Sequence, residues 1–165
     1  MAAELRPTGV LEAGALASLL RELLDAEEVV RRGVHRPAEV CHRDVNPDNL
    51  LRRADGRAVL LDWDNAGPAC PRQELASVLY EQCGDEPDAV RRLHGAYVAG
   101  GGRGGVAVDD LAMAFAVQAH LFVFYGRRFL DGPRSEDGER AARRLVDMAA
   151  RPLTLRRAER LSRCT

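Results

Sequence analysis

Two short apolar runs joined by a tight turn constrain the fold of this chain more than any other feature. The runs Leu50–Arg52 and Ala58–Leu61 flank Asp55-Gly56, a dipeptide that favours a β-hairpin turn. Asn49 directly precedes the first run, and Asp62 directly follows the second. Because a hairpin begins and ends at the same edge, the sequence predicts that Asn49 and Asp62 lie close together there.

The polar side chains around this hairpin are those that phosphoryl transfer requires. His42, Asp44 and Asn49 follow the pattern His-x-Asp-x-x-x-x-Asn, and Asp62 ends the apolar strand that comes next. Such a reaction needs one carboxylate to orient and deprotonate the attacking hydroxyl, together with Asn and Asp ligands for the magnesium ions that neutralise the triphosphate. The sequence therefore predicts half of a kinase active site.

Length and composition indicate one globular domain over residues 1–165. Hydrophobic residues make up 46% and charged residues 30% of the sequence, which is too apolar for a disordered chain. A chain of 165 residues is long enough for one core and too short for two ordinary domains. The formal net charge of -1 offers no overall attraction to nucleic acid or to an anionic membrane, so neither is expected as a partner.

The sequence also indicates a cytoplasmic protein. It lacks a basic start followed by an apolar run, and no stretch of about 18 consecutive apolar residues occurs in it. The four cysteines are widely spaced and form no Cys-x-x-Cys pair, so reduced thiols are expected rather than a zinc site or a disulfide framework.

Helical periodicity dominates outside the hairpin, which predicts a mostly helical α+β fold. The glycine-rich stretch 99–105 is predicted to be a flexible connector, because a Walker phosphate loop ends in Gly-Lys-Ser/Thr and the sequence contains no Lys. The sequence predicts a helix from Leu11 to about Arg32 ended by Gly33, a loop over 65–71, helices from Pro71 to about Cys83 and after Pro87, a buried central helix from Leu111 to Leu130 capped by Asp109, and helices over about 136–150 and 154–163.

At this point the chain resembles the aminoglycoside phosphotransferase and choline kinase family, which has a protein-kinase-like fold. The resemblance implies the C-terminal lobe of that fold, with one small hairpin carrying the catalytic loop. It rests on His42-Arg43-Asp44, Asn46-Pro47-Asp48-Asn49-Leu50-Leu51, Leu61-Asp62-Trp63-Asp64 and Gly67-Pro68 through Glu74-Leu75-Ala76.

The resemblance implies a role for each residue of the motif. Asp44 would be the catalytic base, while Asn49 and Asp62 would be ligands of Mg²⁺. His42 would support the catalytic loop by bonding its ring to the backbone near Asp62. The implied reaction is transfer of the γ-phosphate of ATP to a hydroxyl of a small molecule such as an aminoglycoside.

Three residues depart from the family pattern. Many relatives have Gly at the position of Arg43, and Glu74 replaces the usual Asp. Cys70 stands where relatives commonly have an Asp, so a helix N-cap of about 1 kcal/mol is expected to be missing.

The larger departure is the N-terminal nucleotide lobe, which we expect to be absent. That lobe supplies a glycine-rich loop, a strand Lys and the adenine hinge. Too few residues precede His42 to form it, and all 24 basic residues are Arg. Two hypotheses follow: a small-molecule kinase whose N-lobe comes from a missing segment or a separate chain, and a non-catalytic or regulatory magnesium- or nucleotide-binding remnant or interaction domain.

Overall fold

A computed structural model describes residues 13–33, 38–84 and 86–165 of the chain. They are mostly helical with two small antiparallel sheets, which confirms the predicted α+β class. The predicted start of the first helix at Leu11 lies outside the described residues. In chain order the elements are α1 Ala13–Asp25, α2 Glu27–Gly33, β1 Glu39–Cys41, β2 Leu50–Arg52, β3 Ala58–Leu60, β4 Gly67–Ala69, α3 Pro71–Cys83, α4 Pro87–Ala99, α5 Ala112–Asp131, α6 Glu136–Ala150 and α7 Leu155–Ser162.

The chain divides into two compact units. One contains the residues up to Glu28 together with Phe115–Leu155, and the other contains Val29–Ala114 and Arg156–Thr165. All four predicted site residues belong to the second unit. Whether the two units form one domain stays a prediction.

The hairpin that the sequence predicts is present in the second unit. Strands β2 and β3 pair antiparallel with Leu50 opposite Leu60. The turn uses Gly56 at a φ of 82°, a left-handed conformation that glycine adopts without steric cost. The Asp55 carboxylate accepts a hydrogen bond from the backbone N–H of Arg57 at 3.0 Å, which stabilises the turn.

A second two-stranded sheet was not predicted. Strand β4 pairs antiparallel with β1, and Cys41 lies opposite Gly67. The prediction of a loop over 65–71 was therefore wrong for Gly67–Ala69. Glycine and proline are typical of turns, but Pro68 is compatible with an edge strand, and both strands of a two-stranded sheet are edges.

Helix α3 begins at Pro71 and ends at Cys83, as predicted. It packs against β1 of the β1–β4 sheet. Its buried face includes Gln73, Ala76 and Leu79. The buried Gln73 amide donates to the carbonyl of Gly33 at 2.8 Å, which satisfies a free carbonyl at the end of α2.

The predicted single helix from Leu11 to about Arg32 is instead two helices. Helix α1 ends at Asp25, and α2 begins at Glu27 after the buried Ala26. Acidic residues in the first turn of α2 and basic residues in its last turn both suit the helix dipole. Hydrophobic spacing continues across the break, so periodicity alone did not reveal it.

Two predictions about the long apolar helix were wrong. Helix α5 forms over Ala112–Asp131, but it is not buried all round, and its exposed side chains include Phe124 and Leu130. The acceptor that caps the turn before it is Asp110, whose carboxylate accepts from the N–H of Ala107 at 2.8 Å, not Asp109. Asp110 is fully buried, and burial cannot be read from two adjacent aspartates in a sequence.

Length and composition alone would allow the helical segment Val108–Asp131 to cross a membrane, with a mean hydropathy of 1.3. One such segment is weak evidence, because core helices of soluble proteins meet the same criterion. Gln118, which interrupts the segment, has a structural partner within the first unit. Its amide donates to the carbonyl of Leu153 at 3.0 Å and accepts from the Leu153 N–H at 2.7 Å.

Helix α6 matches its predicted bounds and packs against α1 in the first unit. Ser135 is its N-cap, and the Ser135 hydroxyl accepts from the N–H of Gly138 at 3.0 Å. Gly138 is buried, and a Cβ added there would overlap the carbonyl of Gly132.

We expect Gly138→Ala to lower the free energy of unfolding by about 1–3 kcal/mol, because the added methyl group has no room. Gly126→Ala is the matched control, since Gly126 is also helical and a Cβ there would meet nothing within 4 Å. Gly126→Ala should raise the free energy of unfolding by about 0.5–1 kcal/mol, because alanine favours a helix more than glycine does. Urea unfolding of both variants tests this, and equal stabilities would contradict it.

Candidate active site

His42 contacts the backbone directly before Asp62, at the place where the family resemblance puts its ring. His42 is only 3% exposed, and its Nε2 lies 2.7 Å from the carbonyl oxygen of Leu61. Because a carbonyl can only accept, Nε2 carries the proton in this contact. The rings of His42 and Trp63 make an edge-to-face contact, with 4.7 Å between their centroids. His42 therefore ties the start of the loop to the residue before Asp62.

Asp44 and Asn49 are joined directly. The Asn49 amide nitrogen donates to the Asp44 backbone carbonyl at 2.9 Å and to the Asp44 carboxylate Oδ2 at 3.0 Å. This arrangement fixes the Asp44 rotamer and leaves the Asn49 amide oxygen as the part of that side chain able to bind a cation.

Asn46 is a positioning residue that the sequence-based reasoning missed. Its amide nitrogen donates to Oδ1 of Asp44 at 2.8 Å. Its amide oxygen accepts from the backbone N–H groups of Asp48 and Asn49, at 2.9 and 3.2 Å, and so caps the short 3₁₀ turn Pro47–Asn49. The signal was available, because Asn followed by Pro is typical of an N-cap with proline in the first position.

Asp62 lies at the same edge of the hairpin as Asn49. The backbone N–H of Leu61 donates to the Asn49 carbonyl at 2.8 Å, which places Asp62 one residue beyond that bond. Asp62 adopts a left-handed conformation with φ 59° and ψ 63°. Such a conformation is uncommon for a residue with a side chain, and it is often found at functional sites. Across the described ranges, the exposed Asp62 carboxylate has no hydrogen-bond or ion-pair partner.

Two of the departures from the family pattern are accommodated around Arg43. This residue also has a left-handed backbone, with φ 69°, and its N–H donates to the carboxylate of Glu74 on α3. A Cβ added at Gly67 would lie 3.2 Å from the Arg43 guanidinium, so the arginine side chain passes close to β4. Glu74 therefore links α3 to the loop.

The third departure has the expected consequence. Cys70 occupies the N-cap position of α3, and its side chain makes no capping hydrogen bond.

Burial, followed by the negative charge of Glu74, raises the pKa of the neighbouring Cys41 thiol, which is consistent with reduced, unreactive cysteine in this sheet.

A further carboxylate faces Asp44. Desolvation, followed by the negative charge of Asp44, raises the pKa of Glu81 near the end of α3. The two other acidic residues of the motif, Asp48 and Asp64, are exposed, and their carboxylates have no partner among the residues that the structure describes.

The side chains at this edge fit a magnesium ion better than a transition metal. Asn49 and Asp62 both offer hard oxygen ligands, whereas the described part of the chain holds no group of three His, Cys, Asp or Glu residues that could enclose a metal. Mg²⁺ commonly binds through one or two protein oxygens, with phosphate and water as its other ligands. The donor set therefore suits an ion that arrives with a nucleotide.

A profile of the phosphotransferase enzyme family matches residues 1–115, more than two thirds of the 165-residue chain. The chain belongs to this family. The match confirms the resemblance predicted from the motif, and the matched segment of this phosphotransferase family member includes His42, Asp44, Asn49 and Asp62. No solved structure matches the chain.

Proposed function

We propose that this protein transfers the γ-phosphate of ATP to a hydroxyl of a small molecule. The observation that carries the proposal is the hydrogen-bonded pair of Asp44 and Asn49, joined through the Asn49 carbonyl to the strand that ends before Asp62. A base and two magnesium ligands thus share one edge of a hairpin, as the reaction requires. Membership of the phosphotransferase enzyme family supports the same reaction class.

Asp44 is the catalytic base in this proposal. Its two carboxylate oxygens accept from Asn46 and Asn49, so the side chain is held in one orientation before any substrate binds. It accepts the proton of the attacking hydroxyl, and the fixed orientation lowers the entropic cost of aligning that hydroxyl with the phosphate.

Asn49 and Asp62 hold the magnesium ion in this proposal. Bound Mg²⁺ neutralises negative charge on the phosphates of ATP. The protein's part is to present two oxygen ligands on a rigid backbone, because the Asn49 amide is fixed by Asp44 and the Asp62 backbone is fixed by the neighbouring His42–Leu61 contact.

The groups that bind adenine and the α- and β-phosphates come from outside these 165 residues. The sequence contains no Lys to contact those phosphates. We expect the protein alone to bind ATP with millimolar affinity or weaker, because it offers few contacts to the nucleotide. The acceptor is a small molecule bearing a hydroxyl, such as an aminoglycoside.

The proposal is tested by titrating the protein with ATP in the presence of excess magnesium and again with EDTA, followed by NMR. Asp62→Asn, which keeps a side chain tolerant of the left-handed backbone, should abolish the magnesium-dependent part of the binding. Asp64→Asn removes the same charge two residues away and should leave it unchanged. Equal magnesium dependence in the wild type and Asp62→Asn would remove the metal assignment.

A second function, that of a non-catalytic magnesium- or nucleotide-binding domain, is favoured by the absence of Lys from the sequence. The two functions differ in phosphate transfer. Transfer of labelled γ-phosphate from ATP to a hydroxyl compound supports the kinase function, provided that Asp44→Asn abolishes the transfer. Magnesium-dependent nucleotide binding without transfer, even when a nucleotide lobe of a related kinase is supplied, supports the second function.

A further inference from the structure

A cavity of about 550 Å³ lies in the second unit, at the end of the β1–β4 sheet away from His42. This volume is within the range of about 300–1,000 Å³ that small-molecule sites occupy. The residues around it are not those of the proposed active site. They come from β1, the start of α3, α4, the glycine-rich segment and the turn before α5. They include Glu39, Arg72, Tyr97, Gly102, Arg103 and Asp110.

One arginine of this cavity is fixed by a buried carboxylate. Arg72 Nη2 lies 2.7 Å from Asp110 Oδ2, and the Asp110 side chain is completely buried while that of Arg72 is 47% exposed. The same carboxylate oxygen accepts from the N–H of Ala107 at 2.8 Å. The bond to Asp110 orients one edge of the guanidinium and leaves its other donors directed away from that contact.

The second arginine has no side-chain partner among the described residues. Arg103 also lines the cavity, and its guanidinium has no hydrogen-bond or ion-pair partner within residues 13–33, 38–84 and 86–165. Its backbone N–H donates to the hydroxyl of Tyr97 at 3.3 Å, which anchors the residue beside α4. The side chain is exposed, so its guanidinium is available for an anion at the cavity.

The glycine-rich segment is a fixed wall of the cavity rather than only a connector. Gly102 donates its N–H to the Tyr97 carbonyl at 2.9 Å, and a Cβ at Gly102 would overlap the Tyr97 ring. Glycine at this position lets the backbone lie against the ring in its present place. His94 Nε2 contacts the Gly104 carbonyl at 3.0 Å and holds the next turn of the segment.

The N-terminus of α3 adds positive potential at the same place. Pro71 carries no N–H, and the N–H groups of Gln73 and Glu74 donate to the Cys70 carbonyl at 3.0 and 3.1 Å. Because Cys70 supplies no capping side chain, the Arg72 N–H has no acceptor among the described residues and stays available to an anion. Glu39 contributes a negative charge at an exposed position, whereas Asp110 is already engaged by Arg72.

We infer that this cavity is a binding site for a small oxyanion, a phosphate or carboxylate group, held by Arg72 and Arg103 against the glycine-rich wall. The site is separate from the proposed active site. It does not depend on phosphotransfer, so either assignment can fail while the other stands.

The test is an NMR titration of the ¹⁵N-labelled protein with inorganic phosphate, with citrate, and with sodium chloride at matched ionic strength. The amide signals of Gly101, Gly102 and Arg72 should shift saturably with phosphate or citrate and not with chloride. Arg103→Gln should weaken this binding about tenfold or more, because a charge-assisted hydrogen bond is lost. Arg134→Gln is the matched control, since Arg134 is also exposed and without a partner in the described chain.

Each outcome decides the inference. Saturation by phosphate alone identifies a phosphoryl ligand, and saturation by citrate alone identifies a carboxylate ligand. No saturable shift with either anion, or equal affinity of the wild type and Arg103→Gln, overturns the site. Asp62→Asn should bind the anion as the wild type does, and loss of binding in that variant would show that the anion occupies the active site instead.

Discussion

Asp44→Asn is expected to lower kcat for phosphate transfer about 10²–10⁴-fold, the contribution typical of a positioned general base. The amide cannot accept the proton of the attacking hydroxyl, although it can still accept one of the two hydrogen bonds that the Asp44 carboxylate receives from Asn46 and Asn49. The rate is measured with labelled ATP at saturating magnesium, for the protein alone or complemented by a nucleotide-binding lobe.

Asp48→Asn is the control for this experiment. It removes a carboxylate four residues away that is exposed and has no side-chain partner among the described residues. Its kcat should stay within about threefold of the wild type, because no proton transfer depends on it. A thermal unfolding curve of each variant separates lost chemistry from lost folding. If a folded Asp44→Asn variant retained the wild-type rate, Asp44 would not be the base.

Asp110→Ala is expected to lower the free energy of unfolding by about 3 kcal/mol. The substitution removes the buried partner of Arg72 and the acceptor for the N–H of Ala107, and it leaves an unfilled space at a completely buried position. Arg72 stays half-exposed and hydrated, so the loss should be smaller than that of a fully buried charge pair.

The neighbouring Asp109→Ala provides the comparison. Asp109 also faces an arginine, with 3.7 Å between its carboxylate and Arg32 Nε, but both side chains are partly exposed. Ion pairs of that kind contribute about 0–1 kcal/mol. The free energies of unfolding of the two variants, measured in urea, should therefore differ by at least about 2 kcal/mol. Similar values would show that burial of Asp110 does not govern its contribution to stability.

The structure also explains why the unusual residues of the motif are tolerated. The Glu74 carboxylate accepts a hydrogen bond from the Arg43 N–H, although Glu is longer than the usual Asp. The start of α3, which lacks a capping side chain, lies at the proposed oxyanion site. A capping side chain at position 70 would accept from the N–H of Arg72 or Gln73, so its absence leaves the Arg72 N–H available at that site.

Features that depend on residues close to one another in the chain could be predicted from the sequence. Turn chemistry at Asp55-Gly56 defined the hairpin, proline at the first position defined the start of α3, and the spacing of Asp44, Asn49 and Asp62 defined the motif. Each is decided within about a dozen residues, where backbone geometry and propensity are strong. The His42 contact was also predicted, from the family resemblance.

Features that depend on partners far apart in the chain could not be predicted and are visible in the folded protein alone. The pairing of β1 with β4 joins residues such as Cys41 and Gly67, the burial of Asp110 depends on the elements around it, and the cavity brings Arg72 and Arg103 together. Periodicity reports which face of a helix is apolar, but it does not report how much of that face is covered, which is why α5 was expected to be buried and is partly exposed. Long-range packing decides that coverage.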